Sequence, residues 1–173
     1  MKKILYSACF AATTLFAVSC GNNNDTAAHD HNHNTEATTD GATTANQEVV
    51  TTIELNATDE MKFDATAFAV PAGQEITLTL HNVGKMPKES MGHNFVLLKE
   101  GSSVSAFGNL SVDAAATDYI PESAQAEIIA HTKVLGPGES ETIKFTIDKP
   151  GVYPFLCSFP GHYAIMKGII EVK

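Results

Sequence analysis

The sequence predicts an all-β fold, an antiparallel sandwich or barrel, on two observations. Apolar residues recur at every second position in three stretches: Ile76, Leu78 and Leu80; Ile143, Phe145 and Ile147; and Tyr153, Phe155 and Cys157. Proline and glycine punctuate these runs at Pro71-Ala72-Gly73, Gly136-Pro137-Gly138 and Pro150-Gly151. A period of two is what a strand with one buried and one wet face requires, and Pro-Gly clusters supply the turns between such strands. Short strands spaced by such turns belong to sandwiches and barrels. One region breaks the rhythm. Residues 102–127, alanine-rich around Ala114-Ala115-Ala116, predict a short helix inserted between strands. No internal repeat is visible.

The 173 residues suffice for one ordinary domain with extensions. Residues 1–19 read as a signal peptide: Lys2 and Lys3 give a positive start, and Ile4 to Val18 is a mostly apolar run too short for a comfortable membrane span. The run closes in Ala17-Val18-Ser19-Cys20, which resembles a bacterial lipobox. The resemblance implies that Cys20 is lipidated and becomes the mature N-terminus. The protein would then be extracytoplasmic, anchored by lipid to a bacterial membrane, on its periplasmic side. The alternative is an ordinary secretory peptide cleaved near Ala17, which exports the chain equally.

Residues 20–48 follow as the lipidated cysteine and a polar tether. From Gly21 to Glu48 there is no aromatic residue and no aliphatic one larger than alanine, so the segment cannot offset its ordering entropy by burial. As a coil it would span ~30 Å. Its His29, His31 and His33 could bind copper or zinc loosely, or be no more than part of a solvated linker. Residues 49–173 are the expected folded domain. The hydrophobic fraction of 43% is enough for a core. A net charge of -9, with 11 lysines and no arginine, excludes the basic face that nucleic-acid binding needs.

The chemistry concentrates in Cys157-Ser158-Phe159-Pro160-Gly161-His162-Tyr163-Ala164-Ile165-Met166. With Cys9 removed and Cys20 acylated, Cys157 has no partner for an internal disulfide. A thiol alone in an oxidising compartment is exposed to oxidation unless it is buried as a small hydrophobe or put to use. Here His162 and Met166 follow it across a segment built to turn. A thiolate, an imidazole and a thioether suit copper, and two histidines with one cysteine and a distant methionine form the blue-copper set. The second histidine must come from elsewhere, and His93, in Met91-Gly92-His93-Asn94-Phe95, is the candidate. A strand-end histidine can equally be a surface residue.

Met91-Gly92-His93-Asn94, the ten-residue cysteine segment with its following Lys167-Gly168, and Ile129-Ala130-His131-Thr132-Lys133-Val134-Leu135-Gly136 resemble the azurins, type 1 blue copper proteins of the plastocyanin/azurin-like cupredoxin family. The resemblance spans about residues 50–173. It implies a cupredoxin Greek-key sandwich holding one type 1 copper that cycles between Cu(I) and Cu(II). His93, Cys157 and His162 would be equatorial ligands, Met166 a distant axial one, and the Gly92 carbonyl would approach from the opposite side. Asn94 would brace the ligand loop beside the sulfur. Met61, Met86, Met91, Phe159, Pro160 and Ala164 would form an apolar docking patch around the His162 edge. His81 and His131 would be a structural and a surface histidine. Two features depart from the azurin pattern: no cysteines remain for the disulfide near the N-terminal strands, and Phe95 stands where some azurins carry a core tryptophan.

The implied function is single-electron transfer between extracytoplasmic redox partners, such as c-type cytochromes or copper or haem reductases, by a monomer that turns over no substrate. A periplasmic copper chaperone or buffer is the alternative. A nitrite reductase or multicopper oxidase fragment would need further copper centres, for which only His81 and His131 are spare. A metal-free or zinc-bound adhesion module would not need all four ligand side chains.

Overall fold

A computed structural model describes residues 47–173. The signal segment, Cys20 and the His29, His31 and His33 tract lie outside the described residues. Among the described residues, the strands are β1 (Thr52–Thr58), β2 (Lys62–Phe63), β3 (Ala67–Val70), β4 (Glu75–Asn82), β5 (Val96–Leu98), β6 (Ile128–His131), β7 (Ser140–Thr146), β8 (Gly151–Leu156) and β9 (Lys167–Val172). Two helices interrupt them, α1 (Lys88–Met91) and α2 (Val104–Ser111). The strands form two sheets, in the orders β2-β1-β4-β7 and β3-β9-β8-β5-β6. This is the expected all-β sandwich with a helical insert.

The pairing differs from a purely antiparallel expectation. β1 runs parallel to β4, and β3 parallel to β9. The chain leaves β1 and β2, crosses to the other sheet as β3, and returns as β4 to lie parallel beside β1, while β3 is joined by the last strand of the chain. Every other strand pair is antiparallel.

The alternation read from sequence holds where it matters for the core. Ile76, Leu78 and Leu80 are fully buried along β4, and Tyr153, Phe155 and Cys157 share the inward side of β8 and its end. They meet Ile53 and Leu55 of β1, Phe95 and Leu97 across the sandwich. Phe155 is the hub, with the rings of Phe63, Phe68 and Phe95 5.7, 6.0 and 5.1 Å away. Each side chain of this size contributes roughly 1.5–3 kcal/mol on full burial. Phe95 is thus a core aromatic, as expected of that position. In β7 the pattern is weaker: Phe145 is buried, Ile143 only half-buried, and Ile147 is buried just past the strand.

The insert forms, but not at the alanine run. α2 spans Val104–Ser111, started by Ser103, whose Oγ accepts from the Ala106 amide at 3.3 Å. Phe107 anchors it on the outer face of the second sheet, against Val96, Leu98 and Leu156. Ala115–Thr117 makes only one 3-10 turn, followed by a longer 3-10 segment, Glu122–Glu127. Ala115 and Ala116 are exposed and bring no apolar bulk to a helix face, so their local propensity has no packing to support it.

The N-terminal end of the sandwich is held without a disulfide. Val49 bridges Ala69, and the Val50 amide donates to the Ala69 carbonyl at 2.9 Å. Cys157 is free and buried. No helix among the described residues is long and apolar enough to cross a membrane.

Candidate metal centre

Three segments converge at one end of the sandwich. Cys157 directly follows β8 and Met166 directly precedes β9, so the ligand segment is the loop of a β8–β9 hairpin. The Cys157 amide donates to the Met166 carbonyl at 2.9 Å, closing the base of the loop. Inside it, the amides of Ile165 and Met166 donate to the His162 carbonyl at 3.1 and 2.8 Å, and the His162 amide to the Phe159 carbonyl at 3.0 Å. The turn passes through Gly161 at φ +83°. His93 lies between α1 and β5, and exchanges two backbone hydrogen bonds with Leu135 at 3.2 and 2.7 Å. Gly92 before it is buried where a Cβ would stand 2.5 Å from Val134 and 2.7 Å from the Lys88 carbonyl, so no larger residue fits.

Candidate ligand atoms of His93, Cys157 and His162 all lie within 4.8 Å of one another, and the residues are 0%, 0% and 3% exposed. The Cys157 Sγ is 4.0 Å from Nδ1 of His93 and 3.6 Å from Nδ1 of His162. A cation ~2.0–2.1 Å from a nitrogen and ~2.3 Å from a sulfur, at a tetrahedral to trigonal angle, separates the two by about 3.6–3.8 Å. The His162 spacing falls at that value and the His93 spacing lies just beyond it. His93 is also under-partnered: Nε2 is buried with no hydrogen-bond partner among the described residues, and Nδ1 has only the distant sulfur. The Thr58 backbone favours the protonated ring, but Nε2 makes no hydrogen bond among the described residues. Such a ring suits an ion on its Nδ1 side better than an apolar core.

The electrostatics agree with a site that takes a cation. Burial pushes the Cys157 thiol up to about 12, against the backbone amides of Asn94 and Phe159, which favour the thiolate. Burial lowers His162 to about 4, helped by the charge of His93, and burial lowers His93 too. Both imidazoles are therefore neutral at pH 7, with lone pairs free to bind. The thiol needs a cation to ionise it.

Asn94 is fully buried and joins three segments. Its Nδ2 donates to Ser158 Oγ at 2.8 Å and to the Asp118 carbonyl at 3.2 Å, and its Oδ1 accepts from the Ser158 amide at 2.8 Å. Met166 is fully buried in the core at the loop's end. Of the six patch residues, Met86 and Ala164 are exposed, Met61, Met91 and Pro160 half-buried. Phe159 lies beneath the surface, its ring 4.8 Å from that of His162 and 5.1 Å from Tyr119. Met61 packs partly against the core. His81 is a structural histidine, its ring nitrogens 2.7 Å from both Ser140 Oγ and Glu54 Oε2, and His131 is exposed.

Sequence reasoning missed Ser158, Tyr119 and Ile165. Ser158 was visible only as a loop residue, and nothing in its position reveals that Asn94 reaches it. Ile165, 57% exposed beside Ala164, was hidden by its apolar character, which by itself reads as core.

Comparison with known proteins adds the family. Residues 47–173 match the family of copper binding proteins described as plastocyanin/azurin. The chain is 40% identical over 126 residues to azurin of Achromobacter denitrificans, covering 70% of this chain and 83% of that one. It is 35% identical to azurin of Pseudomonas fluorescens biotype C, covering 70% and 97%. Among solved structures it resembles reduced auracyanin from the photosynthetic bacterium Roseiflexus castenholzii, with a TM-score of 0.66 at 41% identity, covering 73% and 99%. It also resembles an azurin from Methylomonas sp. strain J, with a TM-score of 0.63 at 30% identity, covering 70% and 97%. The His93, Cys157 and His162 cluster fits a single type 1 copper site. Matched by the family across all of its described residues, the chain belongs to the plastocyanin/azurin family of copper-binding proteins.

Proposed function

We propose that this chain carries single electrons between extracytoplasmic redox proteins through one type 1 copper. His93, Cys157 and His162 would hold the metal, with Met166 and the Gly92 carbonyl as further, weaker donors. The observation that carries the reading is the convergence of two Nδ1 atoms on one thiol in a pocket closed to water. When bound, copper supplies the exchangeable electron by alternating between Cu(II) and Cu(I), and a soft cysteine-histidine set suits both states.

The protein's own residues supply rigidity and access. Asn94 ties the His93 segment to Ser158, and the Leu135 bonds fix the His93 backbone, so the ligands keep their places in either state. The Asn94 and Phe159 amides stabilise the thiolate. Electrons would pass at the His162 edge, where Met61, Met86, Met91, Pro160 and Ala164 frame the surface over Phe159, with Ile165 added. Partners would be proteins such as c-type cytochromes or copper or haem reductases, met by a monomer held at the membrane by lipid on Cys20. A chaperone or buffer would need exchangeable donors, and the burial of all three favours the carrier.

The test is a redox titration of the full chain loaded with one copper. The carrier reading expects the copper-thiolate band to bleach with one electron per copper and to return fully on reoxidation, without metal loss. Release of copper on reduction would favour the buffer instead. Membrane fractionation of the wild type beside Cys20→Ala tests the anchor: the variant should move to the soluble fraction.

A further inference from the structure

We propose that Tyr163 is a positioning residue that locks the ligand loop onto helix α2 and so holds His162 in place before any metal arrives. Its consequence for copper rests on the function proposed above; its geometry does not. One otherwise costly choice in the sequence, a glycine inside α2, is explained by the Tyr163 ring that lies against it. Gly108 sits in the middle of α2, where glycine is disfavoured relative to alanine. Yet a Cβ at Gly108 would stand 2.2 to 2.6 Å from Cγ, Cδ1 and Cδ2 of Tyr163. The ring therefore lies directly against the helix backbone, at a site only glycine leaves open. The tyrosine hydroxyl donates to Asn109 Oδ1 at 2.6 Å, fixing the ring at its far end.

The helix beneath is a firm base. Phe107, next to Gly108, is buried against Val96 and Leu156 on the back of the second sheet, and the Ser111 hydroxyl donates to the Phe107 carbonyl at 2.9 Å. Tyr163 packs against this same cluster. It follows His162 directly, so fixing its ring removes backbone freedom from the ligand's neighbour. The bonds within the loop then hold the His162 backbone from the other side. The insert thus acts on the metal site through one side chain, although no residue of α2 is a candidate ligand.

The test measures hydrogen exchange in the metal-free full chain at the His162, Ile165 and Met166 amides, as a ratio to the amides of β4, so that global opening cancels. Tyr163→Ala and Gly108→Ala should each raise that ratio about tenfold or more, and Tyr163→Phe, which keeps the ring but not the hydroxyl bond, by less. With copper loaded, Tyr163→Ala should release the metal to a chelator roughly 10- to 100-fold faster, the usual effect of losing a support behind a ligand. Unchanged exchange in both alanine variants would overturn the proposal, and so would faster exchange with unchanged copper release. A wild type that forms no copper-thiolate band would sink the carrier reading, while the exchange ratios would still decide whether the lock exists.

Discussion

The two sheets bury themselves differently. In the four-stranded sheet, the residues of β4 are alternately buried and more exposed, and the outer face meets water. In the five-stranded sheet, β5 is buried at all three positions, because α2 and the 3-10 segment Glu122–Glu127 cover its outer face. The covered sheet carries the cysteine at the end of β8. The one-sided sheet carries none of the three candidate ligands. The difference teaches where a rigid site is built: the end of β8 that carries the cysteine is packed on both faces, with Phe155 between the sheets and Leu156 beneath α2.

Core truncation should break this comparison most visibly. Phe155→Ala, at the hub between the sheets, should cost about 3–5 kcal/mol in chemical denaturation. Phe107→Ala, on the covered outer face, should fall at the lower end, about 3 kcal/mol, because a single helix can settle into the space. An equal or larger loss at Phe107 would mean that the back cluster, not the inter-sheet core, governs folding. Asn94→Ala ranks next. It removes three hydrogen bonds and strands the Ser158 amide in the interior, for about 2–3 kcal/mol. A loss under about 0.5 kcal/mol would show that water replaces the brace.

The pH dependence of the metal-free protein sharpens the contrast, since its buried shifted groups, His93, Cys157 and His162, lie at the metal end. His162 falls from the ordinary 6.5 to about 4, so below pH 6.5 the unfolded chain binds protons that the folded chain refuses, and stability falls as pH drops. Cys157 rises from 9.0 to about 12, so above pH 9 the unfolded thiol ionises first and stability falls again. Thermal melts should peak between about pH 6.5 and 9, and Cys157→Ser should lose the alkaline decline. Copper loading inside that window should release one proton, from the thiol. The smallest effect belongs to the wet face of the four-stranded sheet. Lys144 and Glu75 pair at 2.7 Å but are 61% and 59% exposed, so Lys144→Ala should change stability by less than about 0.5 kcal/mol.

The same contrast explains what was legible. β4 could be read because one face is wet, and alternation is the trace of that face. β5 could be read only as a short apolar run after His93, since Val96, Leu97 and Leu98 are all buried and leave no period. The ligand loop was legible because three unusual donor types fall close together, and copper chemistry demands those types. The placement of α2 was not. Its stability comes from Phe107 docking on a sheet that lies far away in the chain, whereas the alanine run advertised a propensity that nothing packs against. Asn94 could be named from its neighbours, but Ser158 at its other end is 64 residues away. The parallel pairs join strands that are not neighbours in the chain, β1 with β4 and β3 with β9, which no local pattern records.

The most direct test of the central claim is the visible absorption spectrum of the chain carrying one Cu(II), with His29, His31 and His33 replaced by alanine so that the histidine tract cannot compete. The account predicts an intense blue thiolate-to-copper band that is absent in Cys157→Ser. Stoichiometric copper without that band would contradict it, because the metal would then lie outside the grip of Cys157.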